Sequence, residues 1–304
     1  MYLTIDTIYN INEIPSENFD KPYLIKGGCK NMAIFKKENI LNHFNESLKH
    51  VEFLTEIYDT DEEMGNTQTV NDIPILFSET IENIEKGNKY YVADVDFNEY
   101  DVSEHFKNLF LFEFDKMNKN NENILMFYGK NTLSGCHFHI SGDYILNQIV
   151  GKKTVYMFDY YDNNIEFAGY FSGRNNFIKD NFFKLDHSKM KIYKVDLVPG
   201  DSLCIPPWWL HAVQGFGNTI SITKTYTRND NYYNNKPYLY GLYILMPINS
   251  FIEKLIFDIY YLLKVNILYY ILIENLNIIA LIIVIFIILY LKRKKIYDFY
   301  KGFK

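Results

Sequence analysis

Residues 199–213 read PGDSLCIPPWWLHAV, and this stretch decides the fold. Pro199-Gly200-Asp201 is a tight-turn tripeptide. Ser202 to Ile205 form a short, mostly apolar run that suits a buried strand. Pro206 and Pro207 end that strand, because neither can donate to a sheet ladder. Trp208 and Trp209, the two tryptophans of the chain, then lead to His211. Working outward, residues from Ile124 to about Arg228 read as mostly β. The strands are NILMFYG, GCHFHI, YILNQIVG, KTVYMFD, KIYKVDLV, DSLCIP and NTISITKTYT, and turn signals such as SGD, GKK, PGD and GFGN separate many of them. Short strands at close spacing predict a sandwich, jelly roll or barrel. His211 then sits at the mouth of the barrel, as a candidate metal ligand or as a histidine packed in the core.

Gly135-Cys136-His137-Phe138-His139 places two histidines at alternate positions. Alternate side chains of a strand share a face, so His137 and His139 point the same way and can hold one metal ion. Asn147 to Lys153 (NQIVGKK) reads as strand, turn and new strand from Thr154. A lysine projecting from that turn into the barrel would be an anion receptor, since a desolvated ammonium seeks a carboxylate.

Residues 1–131 mix types. KPYLIKG and YYVADVDF read as strands and ENILNHF as a short helix, while SEHFKNLFLFEF suits either and KMNKNNEN is a polar loop. Apolar residues at 48% support a sizeable core. The last 13 residues hold six of the 31 basic groups and one of the 37 acidic ones, so the preceding chain carries 25 against 36. Such an acidic body repels phosphate backbones, and no nucleic-acid partner is expected. Three cysteines make no disulfide framework and favour a reducing compartment.

Beyond Pro237 the pattern becomes helical. Residues 241–274 are an expected amphipathic region, suited to barrel packing, a homodimer interface or a membrane surface. Residues 276–291, LNIIALIIVIFIILYL, carry no charge. As a helix they reach roughly 24 Å, against a bilayer core of about 30 Å, and the KRKK that follows can snorkel to the interface. The expectation is one C-terminal transmembrane helix followed by a basic tail, 292–304. The basic flank favours a cytosolic tail, whereas the absence of an N-terminal signal favours a tail anchor with residues 1–240 in the cytosol; the second arrangement is preferred.

The PGDSLCIPPWWLH stretch, GKK and the paired histidines together resemble the cupin-like JmjC family of Fe(II)- and 2-oxoglutarate-dependent oxygenases. The group that includes the asparaginyl hydroxylase of hypoxia-inducible factor is the nearest comparison. Similarity covers about residues 20–230. It implies a double-stranded β-helix, mainly β with flanking helices, and the metal set His137, His139 and His211. The family pattern has Asp or Glu where His139 stands, and Asp143 is the alternative ligand. The resemblance also implies Lys153 as partner of the distal carboxylate of 2-oxoglutarate. Ser134, Tyr128 and Thr225, with Ser221 and Thr223 on the same alternating strand, are candidates to bind that co-substrate. The expected activity is hydroxylation or demethylation of a protein or peptide side chain, with the loop Asp159–Asp186 as lid. Two other functions stay open: a catalytically silent binding module, and a three-histidine dioxygenase or hydrolase that uses no 2-oxoglutarate.

Overall fold

The computed structural model describes residues 2–10, 13, 21–29, 36–48, 51–65, 71–100, 110, 112, 114, 121–139, 142–159 and 176–226. Contacts divide the chain into two compact units, Met1–Asn229 and Asp230–Lys304, and all described residues belong to the first. The amphipathic region, the transmembrane helix and the basic tail expected from sequence lie outside the described residues, as do most of SEHFKNLFLFEF and residues 160–175 of the expected lid. Among the described residues no helix is long and apolar enough to cross a membrane.

The described unit is mainly β. Its strands are β1 (Asp6–Ile8), β2 (Tyr23–Ile25), β3 (Glu52–Ile57), β4 (Asn71–Leu76), β5 (Tyr90–Asp96), β6 (Asn121–Lys130), β7 (Leu133–His137), β8 (Asp143–Asp159), β9 (Tyr193–Leu197), β10 (Ser202–Ile205) and β11 (Trp209–Tyr226). Three helices accompany them: α1 (Lys37–Leu48), α2 (Asp61–Met64) and α3 (Phe77–Lys86). The strands join in the order β1-β2-β10-β8-β11-β6-β5-β3-β4, while β7 pairs with β11 and β9 with β8. β1 and β2 are parallel; the other strand pairings are antiparallel.

β8 and β11 are the two long strands, and they pair along nearly their whole lengths. Residues 152–159 of β8 face 209–216 of β11, and 143–148 face 221–226. The register shifts between these halves, around Phe216 to Ser221. YILNQIVG and KTVYMFD, expected as two strands around a turn, are therefore one strand with a corner. Gly151 makes that corner at φ +75°, and a Cβ there would fall 2.1 Å from the Asn218 carbonyl oxygen. The chain bends without reversing because the β11 partner continues on both sides.

Side-chain alternation sorts the two faces. On β11, Ile220 and Ile222 enter a core shared with Met126 and Tyr128 of β6 and with helix residues Ile40, Leu48, Phe77 and Ile84. In α3, Phe77, Thr80 and Ile84 form the buried stripe, and Gly87 closes the helix at φ +90°. Each such large apolar side chain, fully buried, stabilises by roughly 1.5–3 kcal/mol. On the other face Leu146, Val155, Leu203, Ile205 and Val213 form a second cluster inside the barrel. The PGD turn closes by an Asp201 N–H to Val198 carbonyl bond of 3.0 Å and docks on β8 through Gly200 N–H to Gln148 O and Gln148 N–H to Asp201 O.

Gly151→Ala is expected to destabilise the protein by about 1–3 kcal/mol, from positive-φ strain together with the clash at Asn218. Chemical denaturation of the two proteins measures it; equal midpoints would contradict the corner.

Candidate metal centre

Three backbone segments bring the histidines together. His211 lies on β11 directly opposite His137 of β7. His139 lies two residues past the end of β7, and its carbonyl accepts from Trp208 N–H at 2.9 Å. That bond ties the segment after β7 to the loop between β10 and β11, where Trp208 takes φ +66°. The histidines expected to share one strand face are therefore brought together by a different route: β7 stops at His137, and the loop contact carries His139 to the cluster. The candidate ligand atoms of His137, His139 and His211 all lie within 4.8 Å of one another.

Tautomers follow from the carbonyls nearby. His137 Nδ1 is 2.8 Å from Gly135 O, and His211 Nδ1 is 3.1 Å from Trp209 O. A carbonyl only accepts, so each Nδ1 carries the proton and leaves the Nε2 lone pair for a metal. Burial pushes His211 down to about 3 and His139 well below the usual imidazole range, with the neighbouring imidazoles adding in the same direction. Both rings are thus neutral at pH 7, as metal ligation requires. His139 stacks face to face on Tyr144 at 3.5 Å and 7°, and His137 stacks on Phe177 at 4.6 Å and 24°.

The histidines line a cavity of about 110 Å³. Lys153, only 2% exposed, reaches the same cavity and donates to Ser221 Oγ at 2.5 Å. Among the described residues it has no ion-pair partner, and burial lowers its pKa to about 7. This buried ammonium, held by one hydroxyl, lies 5.8 Å from the Phe127 ring centroid, a setting whose chemistry suits an anion. Ser134, Ser221 and Thr223 also line the cavity.

Three expected site residues lie elsewhere. Strand alternation turns Phe127 toward the cavity and Tyr128 away from it, into the core beneath the helices, where its hydroxyl bonds Glu85. Tyr144 and Leu146 face the cavity, so Asp143 points to the opposite side of β8 and does not join the metal group. Thr225 falls beyond the cavity, its Oγ1 accepting from Asn123 N–H at 3.0 Å. Conversely, Tyr144, Phe177 and the cavity wall from β3, α2 and β5 carried no recognisable motif. Only the YYVADVDF strand pattern hinted at part of that wall.

The cupin-like domain profile matches residues 18–232, more than two-thirds of the chain, and the chain belongs to that family. A JmjC domain-containing histone demethylation protein 1 from Candida albicans is 32% identical over 105 residues, which is 32% of this chain and 22% of that protein. The chain thus spans about a fifth of that curated relative. The X-ray structure of E. coli ycfD is similar over 75% of this chain and 55% of that chain, at 16% identity and a TM-score of 0.46. A metal-suited three-histidine cluster inside a cupin-like domain is the common ground of sequence and structure.

His211→Ala is expected to lower Fe(II) affinity at least tenfold, whereas Asp143→Ala leaves it unchanged. Anaerobic equilibrium dialysis with iron quantification reads both; an Asp143 effect equal to that of His211 would contradict the assigned set.

Proposed function

We propose that this protein is an Fe(II)- and 2-oxoglutarate-dependent oxygenase acting on a protein side chain. The observation that carries the reading is the pairing, in one cavity, of three clustered imidazoles with a buried lysine that has no ion-pair partner among the described residues. Donor chemistry fits the metal: imidazole suits iron among other first-row ions, and three ligands leave coordination positions open. His137, His139 and His211 would hold the ion; carbonyl contacts fix the rings of His137 and His211, and the stack on Tyr144 orients His139. Lys153, steadied by Ser221, would take the distal carboxylate of the co-substrate. Leu146, Ile205 and Val213 keep the floor apolar and exclude water. Iron with 2-oxoglutarate supplies, when bound, the activation of dioxygen for oxidation of an unactivated carbon. The resemblance to the asparaginyl hydroxylase group supports hydroxylation as the outcome.

His139 in place of the family's carboxylate favours a second reading, a three-histidine cupin that uses no 2-oxoglutarate. Three neutral donors would leave a divalent ion's charge uncompensated by the protein, which would strengthen attraction for a dianion. Anaerobically prepared full-length protein is expected to retain iron and, once dioxygen is admitted, to convert 2-oxoglutarate to succinate and carbon dioxide. Iron without 2-oxoglutarate binding would favour the second reading, and neither would sink both. Lys153 adds a signature: only its charged form attracts the carboxylate, so 2-oxoglutarate affinity should fall about tenfold per pH unit above about 7. Calorimetric titration between pH 6 and 9 measures this, and a flat profile would contradict the assigned role.

The uncharged run of residues 276–291 supports a membrane anchor for this activity. Deleting residues 275–304 is expected to move the protein from the pelleted membranes to the supernatant. Continued pelleting of the deleted form would remove the anchor from the proposal.

A further inference from the structure

β7 stops at His137, yet His139 lies two residues farther along the chain, and Phe138 stands between them. Residues 176–178 run antiparallel along the edge of β7 that β11 does not occupy. His137 pairs there with Phe177, Ile178 N–H donates to Cys136 O at 3.0 Å, and Phe138 N–H donates to Asn176 O at 3.1 Å. The Asn176 side chain then extends this ladder by one bond, its Nδ2 donating to the Phe138 carbonyl at 2.9 Å. One residue thus holds both backbone polar groups of Phe138. The Phe138 ring is buried and does not line the cavity, whereas His137 and His139 both do. It stacks instead on Trp208, at 5.0 Å and 21°.

Trp208 supplies an independent sign that this contact matters. Among the described residues three that are not glycine take positive φ: Asp94, Asn131 and Trp208. Asp and Asn tolerate the left-handed region, but a bulky Trp enters it only at a cost in strain. Such a residue persists where its surroundings over-determine it. The turn itself, closed by Trp209 N–H to Pro206 O at 3.3 Å, would be better served by glycine at 208. What the indole adds is the stack on Phe138, beside the backbone bond from Trp208 N–H to His139 O. His139 needs such support. His137 and His211 have carbonyls at Nδ1, whereas the His139 ring has none among the described residues.

We infer that Asn176 and Trp208 are positioning residues which, acting through Phe138, fix the backbone from which His139 reaches the histidine cluster. Neither side chain lines the cavity, so their action on a ligand passes through the peptide between the paired histidines. Asn176 grips that peptide by its polar groups and Trp208 by its ring. Together they replace the strand pairing that ends at His137. The inference rests on the proposed metal centre only for what a bound ion would report.

The test takes two readouts on full-length protein, Co(II) titration and histidine NMR of the metal-free form. Trp208→Ala and Asn176→Ala should each weaken Co(II) binding about tenfold, as the loss of a ligand's support does. Added to His139→Ala, each should cost about twofold at most, because both act through that ligand. Trp208→Phe, which keeps a ring against Phe138, should restore most of the affinity. In the metal-free protein the His139 ring signals, shifted upfield by the facing Tyr144 ring, should move toward those of an exposed histidine in both alanine variants. The His187 signals should stay in place. Asn176→Ala carries the test if Trp208→Ala does not fold. Equal losses with and without His139, no loss from either substitution, or unmoved His139 signals overturns the inference. Moving His139 signals in a protein that binds no Co(II) would leave the positioning standing and remove the metal centre instead.

Discussion

The antiparallel pairing of β8 with β11 is the constraint on which the rest of the molecule depends. β11 also pairs with β7 at its start and with β6 at its end, so each long strand belongs to both halves of the barrel. Bent at Gly151, the pair places His211 opposite His137 in one half and Ser221 within reach of Lys153 from the other. The histidine cluster and the placing of Lys153 are therefore consequences of one register. A slip of one residue would turn both sets out of the cavity, since strand side chains alternate.

Much of this was legible in the sequence because turn chemistry and strand composition are local. PGD, the Pro206-Pro207 stop and the GKK corner marked where strands begin, end or bend, and the histidine cluster followed once a barrel was assumed. What remained hidden was parity. Phe127 and Tyr128 are both aromatic, and Asp143 and Tyr144 both polar, so neither pair announces which member faces inward. Only the partner strand and the helices packed outside decide it, and both are distant in sequence. The places of Glu56, Tyr58 and Asp94 on the cavity wall were equally invisible, because nothing in their spacing relates them to histidines more than forty residues away.

The electrostatics of the cavity follow from burial more than from pairing. Burial keeps His139 and His211 neutral and brings Lys153 near the middle of its titration at pH 7, so these side chains avoid stacking several positive charges in a buried space. A divalent ion and an anion would restore charge together, each lowering the penalty the other faces. That coupling explains how a buried lysine and three imidazoles coexist without a carboxylate among the ligands.

The central claim, that three imidazoles and no carboxylate of this chain hold the metal, is tested most directly by X-ray absorption spectroscopy of the Fe(II)-loaded protein without co-substrate. Three imidazole scattering shells are expected, falling to two in His139→Ala. One or two imidazoles in the unmodified protein, or a spectrum unaltered by His139→Ala, would contradict the assignment.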